Sequence, residues 1–350
     1  MMQTLIETYR SFLPVPADAR IISIAEGGTP LIPLTSLSLK DRGIAVYAKC
    51  EGMNPTGSFK DRGMTVAVTM SLRAGARAII CASTGNTSAS AAAYAARAGI
   101  QAFVVIPDGQ IAQGKLAQAM MHGAKVIQIS GDFDDGMAIV KSLAAETDIA
   151  LVNSVNPHRL AGQKTAAFEI VDVLGSPPDY HFLPVGNAGN ISAYWLGYNE
   201  YVEAGRSNRR PHMIGCQASG AAPFVLGNPV ERPETVATAI RIGQPQSWDL
   251  ARAAQQESQG WFLAFSDEKL LSAQRDVAER DGIFCEPASA VCLAGVRESI
   301  DTGAIPDGAS IVCTLTGHGL KDPDTAIAQS PAPTRVRADS AEVRAIILAD

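Results

Sequence analysis

Lys60 lies near the end of a polar, turn-rich run of sequence, NPTGSFKDR, at residues 54–62. Pro55 and Gly57 favour turns and Ser58 is a good N-cap residue, so the pattern predicts a helix that begins close to Lys60. The positive end of a helix disfavours the ammonium form and lowers the lysine pKa, and burial would lower it further. A lysine that loses its proton near neutral pH is a nucleophile suited to a Schiff base with an aldehyde. The alternative is a solvated surface lysine.

Two loops of small residues follow predicted strands and could hold other parts of a ligand. The loop at residues 186–190 follows a strand at 181–185 and opens a helix, so its backbone N–H groups could bind a phosphate. An ordinary tight turn is the alternative. The loop at 83–88 follows a strand at 78–82 and offers hydroxyls, an amide and N–H groups, which suit a carboxylate and a phenolic oxygen. Here the alternative is a capped turn.

Thr316 and His318 follow the last predicted strand, at residues 310–314. The Thr316 hydroxyl could donate a hydrogen bond to a neutral ring nitrogen, whereas a carboxylate at this position would keep such a nitrogen protonated. His318 could be a general base, or it could be an ordinary loop residue between two glycines.

The elements that would position these residues alternate between strands and helices. From Lys60 onward, β-rich runs at 78–82, 102–106, 125–129 and 149–152 alternate with segments of helical length at 59–74, 87–98, 111–122 and 134–146. A second series places helices at 160–174, from 190, at 267–281 and at 288–299, and strands at 181–185, 213–216 and 310–314. This alternation predicts an α/β fold with two open, mostly parallel sheets and a cleft between them.

The same pattern predicts the domain organisation. We expect residues 1–50 and 155–330 to form the larger α/β domain, which binds the phosphate, and residues 51–154 to form a smaller, mobile α/β domain. Residues 331–350 have a mixed composition and are predicted to be a C-terminal tail with a short final helix.

Composition excludes several classes of protein. The 350 residues carry a net charge of -6, which gives no general attraction for nucleic acid or an acidic membrane. The six cysteines are scattered without metal-ligand spacing, so we expect reduced core thiols and no bound metal. Residues 1–20 contain no apolar stretch of signal-peptide length, and we therefore expect a cytoplasmic protein.

Taken together, the loops resemble the pyridoxal-phosphate enzymes of fold type II, the tryptophan-synthase-β type, and among these the threonine synthases most closely. The matching segments occur in order across about residues 22–323. They are residues 26–31, 54–62, 83–88, 153–159, 186–190, 286–289 and 315–321.

The resemblance implies a function for each candidate residue. Lys60 would carry pyridoxal 5'-phosphate as a Schiff base and act as acid and base. Asn86 would bind the phenolic oxygen of the cofactor and Thr316 its pyridine nitrogen. The cofactor phosphate would be held by the loop residues Gly186, Asn187, Ala188, Gly189 and Asn190. The substrate, chiefly its carboxylate, would be bound by Ser83, Thr84 and Thr87.

The substrate within this family depends on a second phosphate site. Arg159 offers a planar cation, and Asn153 and Ser154 offer neutral donors, which together suit a phosphate ester such as O-phospho-L-homoserine. Thr87 and the departing phosphate would then help to activate the water that adds to the β carbon of the substrate. A surface position for Arg159 is the alternative.

Two other functions stay open at this point. A serine or threonine dehydratase would share Lys60 and the phosphate loop, and a cofactor-binding protein without turnover would share the fold. The resemblance also implies a homodimer.

Overall fold

The structure, a computed structural model, describes residues 3–108 and 113–348. In these residues, ten strands form two sheets. They are β1 (Leu31–Pro33), β2 (Ala45–Cys50), β3 (Ala78–Ala82), β4 (Gln101–Pro107), β5 (Lys125–Ile129), β6 (Ile149–Leu151), β7 (Tyr180–Pro184), β8 (His212–Ala218), β9 (Trp261–Phe265) and β10 (Ser310–Leu315).

The larger sheet has six strands in the order β1-β2-β10-β7-β8-β9, and the smaller has four in the order β5-β4-β3-β6. Among these ten strands, β1 runs antiparallel to its neighbour and all other pairs are parallel. Parallel strands require crossover connections, and helices supply them. The predicted α/β fold with two mostly parallel sheets is confirmed.

The helices connect and cover the sheets. They are α1 (Leu5–Thr8), α2 (Lys60–Arg73), α3 (Asn86–Ala98), α4 (Gln113–Met121), α5 (Phe133–Glu146), α6 (Pro157–Gln163), α7 (Thr165–Leu174), α8 (Gly189–Glu203), α9 (Pro223–Leu226), α10 (Trp248–Glu257), α11 (Asp267–Asp281), α12 (Pro287–Asp301), α13 (Pro323–Gln329) and α14 (Ser340–Ile347). In the part of the chain that the structure describes, none of them is both long and apolar enough to cross a membrane.

Alternate residues of the large sheet face two separate cores, as the pleat of a strand requires. Phe182 and Cys313 pack on one face with α11 and α12. Leu183 and Val312 pack on the other face with α7, α8 and α10. The small sheet is covered in the same way, by α2, α3 and α4 on one face and by α5 on the other. Both sheets are therefore covered by helices on both faces. All six cysteines are buried free thiols, as predicted.

Most predicted elements are confirmed within a residue or two, but one helix is divided, one lies partly outside the described residues, and three strands were not predicted. The helix predicted at 160–174 is divided into α6 and α7 at Lys164, whose carbonyl packs closely against Gly197 of α8. The helix predicted at 111–122 begins outside the described residues and is seen from Gln113 as α4. Strands β1, β2 and β9 are absent from the predicted set.

The two sheets meet where α6 crosses α2. A Cβ atom at Gly162 of α6 would overlap the carbonyl oxygen of Arg62 and lie 2.8 Å from the Cα of Gly63 on α2. Only glycine permits this approach. It brings the first turn of α2, which carries Lys60, against α6, which carries Arg159.

Candidate active site

Lys60 is the first residue of α2, as the turn pattern predicts. The predicted capping by Ser58 is wrong: the N-cap is Phe59, and the buried Ser58 hydroxyl has no hydrogen-bond partner among the described residues. Backbone pairing explains the difference. Ser58 and Gly317 form an antiparallel bridge, and the Phe59 N–H donates to the Thr316 carbonyl at 2.9 Å. The start of α2 is thereby fixed beside the end of β10.

The amino group of Lys60 lies in a partly buried position, 4.4 Å from the centroid of the Phe59 ring. Burial and, after it, the Arg159 guanidinium lower the pKa of Lys60 from 10.5 to about 7, against the opposing effect of the Glu286 carboxylate. An amine with this pKa exists in both protonation states near neutral pH. It can therefore act as a nucleophile and can both accept and return a proton.

The end of β10 presents a neutral hydroxyl. The Thr316 Oγ1 atom is buried, 2.9 Å from Ser289 Oγ and 3.4 Å from Glu286 Oε1. His318, the alternative candidate, accepts the Leu320 N–H at 3.1 Å with its Nδ1 atom and so caps the short turn that follows. This hydrogen bond gives His318 a structural function.

Glu286 links the candidate residues of the two sheets. Asn86, the first residue of α3, donates its Nδ2 hydrogen to Glu286 Oε2 at 3.1 Å, and Thr316 approaches Oε1. The Glu286 N–H also donates to the Gly317 carbonyl at 3.0 Å. Sequence reasoning gave Glu286 no function. Its position as the N-cap of α12, directly before Pro287, is the signal that could have found it, since carboxylates favour helix N-termini.

The loop at 186–190 lies at the carboxyl end of β7, next to β10, and opens α8 at Gly189. Ala188 adopts a left-handed conformation with φ of 65°. Gly186 lies against the backbone of Ile240, where a Cβ atom would come within 2.9 Å of its Cα. Asn190 closes the loop by donating its Nδ2 hydrogen to the Pro184 carbonyl at 2.7 Å. This fixed helix N-terminus is suited to an anion.

The remaining polar candidates follow β3 and β6. Ser83, Thr84 and Thr87 are partly buried around the start of α3. Asn153 uses both ends of its amide on the backbone of Ala82, at 3.0 and 2.9 Å, and so holds the start of the Ser83 loop.

The Asn187 side chain joins the phosphate loop to the segment after β6. Its Nδ2 atom donates to Ser154 Oγ at 3.0 Å, and its Oδ1 accepts the Gln246 N–H at 2.8 Å. Two groups that were predicted to serve different phosphates, Asn187 and Ser154, are therefore neighbours.

Arg159 is fully buried, so the surface alternative is wrong. Its Nη1 atom donates to the Val152 carbonyl at 2.7 Å, but Nε and Nη2 have no hydrogen-bond partner in the described residues. Burial lowers the pKa of Arg159 to about 10, which still leaves the guanidinium charged at neutral pH. A buried cation with unused hydrogen-bond donors destabilises the protein unless an anion binds to those donors.

Comparison with known proteins identifies the family of this chain. The sequence profile of the family described as pyridoxal-phosphate dependent enzyme matches residues 22–317, and the chain belongs to this family. Maize serine racemase has the same fold, with a TM-score of 0.72 at 21% identity over 83% of this chain and 88% of that one. Threonine deaminase isoform 2 from Solanum lycopersicum gives a TM-score of 0.72 at 20% identity over 91% of this chain and 100% of that one. The fold is therefore fold type II.

Closer relatives define the branch of the family. The chain is 60% identical to threonine synthase from Mycobacterium tuberculosis, over 97% of this chain and 94% of the relative. It is 56% identical to threonine synthase from Synechocystis, over 93% and 85%, and 50% identical to that from Methanocaldococcus jannaschii, over 97% and 86%. Within the larger family, the chain belongs with the threonine synthases.

Proposed function

We propose that this chain is a threonine synthase, which uses pyridoxal 5'-phosphate to convert O-phospho-L-homoserine and water into L-threonine and phosphate. The observation that carries the proposal is the buried Arg159 guanidinium, whose Nε and Nη2 donors are unpartnered among the described residues and whose charge lowers the pKa of Lys60. A phosphate ester needs such a cation, whereas a serine or threonine dehydratase does not. The names of the close relatives support the same activity.

The residues present fit the cofactor. Lys60 offers an amine with a pKa of about 7, the helix N-terminus at 186–190 suits its phosphate, and the Thr316 hydroxyl suits a neutral ring nitrogen. Asn86 would bind the phenolic oxygen with the amide hydrogen that Glu286 does not use. When bound, pyridoxal phosphate supplies an electron sink for charge that develops on the substrate carbons.

Lys60 carries out the proton transfers at the substrate α carbon. As a neutral amine it removes the proton from the substrate α carbon, and as an ammonium it returns that proton at the end of the reaction. Ser83 and Thr84 donate hydrogen bonds to the substrate carboxylate and so hold the α carbon near Lys60.

Arg159 and its neighbours bind the leaving phosphate. The β carbon loses a proton, the carbon–oxygen bond at the γ carbon breaks so that phosphate departs with the electron pair, and the γ carbon takes up a proton to become the methyl group. Arg159, Ser154, Thr87 and the amide hydrogen of Asn153 that Ala82 does not use hold the anion. Water then adds its oxygen to the β carbon, with Thr87 and the retained phosphate orienting it. The overall atoms balance as substrate plus water giving L-threonine plus phosphate.

The proposal includes the organisation of the enzyme. Residues 51–154 form the smaller domain, which moves against residues 1–50 and 155–330, and residues 331–350 form the tail. We also propose a cytoplasmic homodimer with no nucleic-acid or membrane partner, consistent with the net charge of -6.

The first experiment tests the cofactor. The purified protein, loaded with pyridoxal phosphate, should absorb in the visible range, lose that band on borohydride reduction, and carry a reduced pyridoxyl group on Lys60 by peptide mass spectrometry. A Lys60→Ala variant is the control and should carry none. Absence of both the band and the adduct in the wild type contradicts the proposal.

The second experiment tests the substrate. O-phospho-L-homoserine should yield phosphate and L-threonine, while L-threonine alone should yield little 2-oxobutanoate. The Arg159→Gln enzyme should lose about 100-fold in kcat/KM for O-phospho-L-homoserine, because a charged donor to the phosphate is removed. Arg97→Gln is the matched control at an exposed position. Rapid release of 2-oxobutanoate from L-threonine would favour the dehydratase instead.

A further inference from the structure

Ser289, on the first turn of α12, lies behind the Thr316 hydroxyl. It is fully buried, and its Oγ atom is 2.9 Å from Thr316 Oγ1. The Gly317 N–H also donates to Ser289 Oγ, at 3.0 Å. Ser289 thus contacts Thr316 and Gly317, the two residues that follow β10, although it has no function in the proposed reaction.

The direction of the Ser289–Thr316 hydrogen bond follows from counting donors and acceptors. Ser289 Oγ accepts from the Gly317 N–H, which leaves its own hydrogen to be placed. Within residues 3–108 and 113–348, Thr316 Oγ1 is the acceptor that this hydroxyl reaches. A buried hydroxyl that donates to nothing is destabilising, so Ser289 donates and Thr316 accepts.

This direction determines what Thr316 can do with its own hydrogen. With Ser289 donating to it, the Thr316 hydroxyl is left with one hydrogen directed away from Ser289. Its contact with Glu286 Oε1 is 3.4 Å, which is long for a hydroxyl donor. A better placed acceptor in the site would therefore take this hydrogen.

We propose that Ser289 is a positioning residue that holds the Thr316 hydroxyl as a donor toward the pyridine nitrogen of the cofactor, and so keeps that nitrogen unprotonated. The inference rests on the proposed cofactor. Without Ser289, the Thr316 hydroxyl could rotate and accept a hydrogen bond from a protonated ring nitrogen, because a hydroxyl can act in either sense.

The test compares Ser289→Ala with Ser299→Ala, a buried serine farther along the same helix. Pyridoxal phosphate affinity is measured by fluorescence titration, and protonation of the ring nitrogen is measured from the nitrogen-15 chemical shift of labelled cofactor. Ser289→Ala should weaken binding by about fivefold to tenfold, the effect of one hydrogen bond, and move the nitrogen shift toward the protonated form. Ser299→Ala should leave both unchanged.

A double-variant cycle separates positioning from general packing. If Ser289 acts through Thr316, then Ser289→Ala should add little to the effect of Thr316→Val on affinity and nitrogen shift. Fully additive effects, or a Ser289→Ala protein that matches the Ser299→Ala control, would overturn the inference. Ser289→Cys, nearly isosteric and a weaker donor, provides the same comparison if the alanine variant does not fold.

These outcomes are distinct from a failure of the proposed function. If the wild type does not bind pyridoxal phosphate at all, the cofactor assignment itself is wrong. If the wild type binds it with an unprotonated nitrogen and Ser289→Ala changes nothing, only the positioning role of Ser289 is wrong.

Discussion

At the scale of single residues, the reactivity of Lys60 depends on its surroundings more than on its position in a helix. The chief causes of its lowered pKa are burial and the charge of Arg159. The same guanidinium that is proposed to bind the substrate phosphate therefore also prepares the lysine. An arriving phosphate would neutralise Arg159 and raise the Lys60 pKa, which favours proton uptake by the amine once substrate is bound.

The first prediction concerns the pH dependence of Lys60 reactivity. The rate at which cofactor-free protein is labelled by pyridoxal phosphate and borohydride should rise with pH around a midpoint near 7, because the neutral amine is the nucleophile. Arg159→Gln should move the midpoint upward, since it removes a positive charge. A wild-type midpoint near 10.5, the ordinary value, would contradict the burial of this amine.

The second prediction follows from the same pKa through its effect on stability. The folded pKa of about 7 lies below the unfolded value of 10.5, so between them the unfolded chain binds more protons. Lys60 therefore makes the free energy of unfolding rise with pH across this window. Urea denaturation of cofactor-free wild type and Lys60→Met at several pH values should show a smaller rise in the variant. If the free energy of unfolding rose equally with pH in the wild type and the variant, the lowered pKa of Lys60 would be contradicted.

Sequence patterns predicted where the candidate residues lie along the elements better than how these residues are connected to one another. The turn residues and the loop spacing place Lys60 and Thr316 at element ends, where parallel α/β folds bind ligands. The position of Glu286 before Pro287 marks a helix N-terminus, but its link between Asn86 and Thr316 could not be predicted, because that link depends on how the start of α12 lies against the start of α3 and the end of β10. The failure of the Ser58 cap has the same origin, since tertiary pairing with Gly317 replaces a local preference.

At the scale of elements, the crossing of α2 and α6 determines the distance between Lys60 and Arg159. Gly162 and Gly63 allow the two backbones to touch, and the Arg159 Nε atom lies 2.7 Å from where a Cβ atom of Gly63 would be. The crossing therefore requires very small residues at positions 63 and 162.

The third prediction tests this crossing. Gly162→Ala should lower the free energy of unfolding by about 3 kcal/mol, because its Cβ would force α6 away from Arg62. Threonine synthase activity should fall as well, since Arg159 moves with α6. The matched control is Gly136→Ala in α5, whose Cβ would meet only ordinary contacts at 3.6 Å or more. It should raise stability by about 0.5 kcal/mol. Equal effects of the two substitutions in urea denaturation would refute this account.

Elements with a regular apolar pattern were predictable and others were not. The alternating strands and helices from β3 to β8 follow from that pattern. Strand β2 contains Lys49, whose buried charge is compensated by an ion pair with Glu169 and a hydrogen bond to the Thr29 carbonyl, both at 2.6 Å. Strand β9 lies at the edge of its sheet with most residues partly exposed, so its sequence carries a weaker signal.

At the scale of the whole molecule, a buried cluster of four charges holds the first turn of α2 to the large sheet. Arg62 binds Glu51 after β2 and Glu169 of α7, each at 2.6 Å, and Lys49 also binds Glu169. Burial alone would raise the pKa of Glu169, but Arg62 and Lys49 outweigh it and lower the pKa to about 2. Two positive and two negative side chains balance within the cluster.

The fourth prediction is that Arg62 is essential for stability. Arg62→Met should destabilise the protein by about 3–5 kcal/mol, because it leaves two buried carboxylates with too few partners. Arg73→Met, which breaks an exposed pair with Asp18, is the control and should change stability by about 1 kcal/mol or less. Chemical denaturation measures both. Similar small losses for the two variants would show that the cluster does not hold α2.

The backbone pairing of Phe59 with Thr316 also bears on how the chain behaves while it is being synthesised. The ribosome completes α2 long before it reaches β10, and until then Lys60 lacks the strand end that helps to enclose it. In a nascent chain, Lys60 would therefore be mainly the protonated ammonium, which reacts poorly with aldehydes. The pKa of about 7 belongs to the folded site, which is complete only after β10 has been translated.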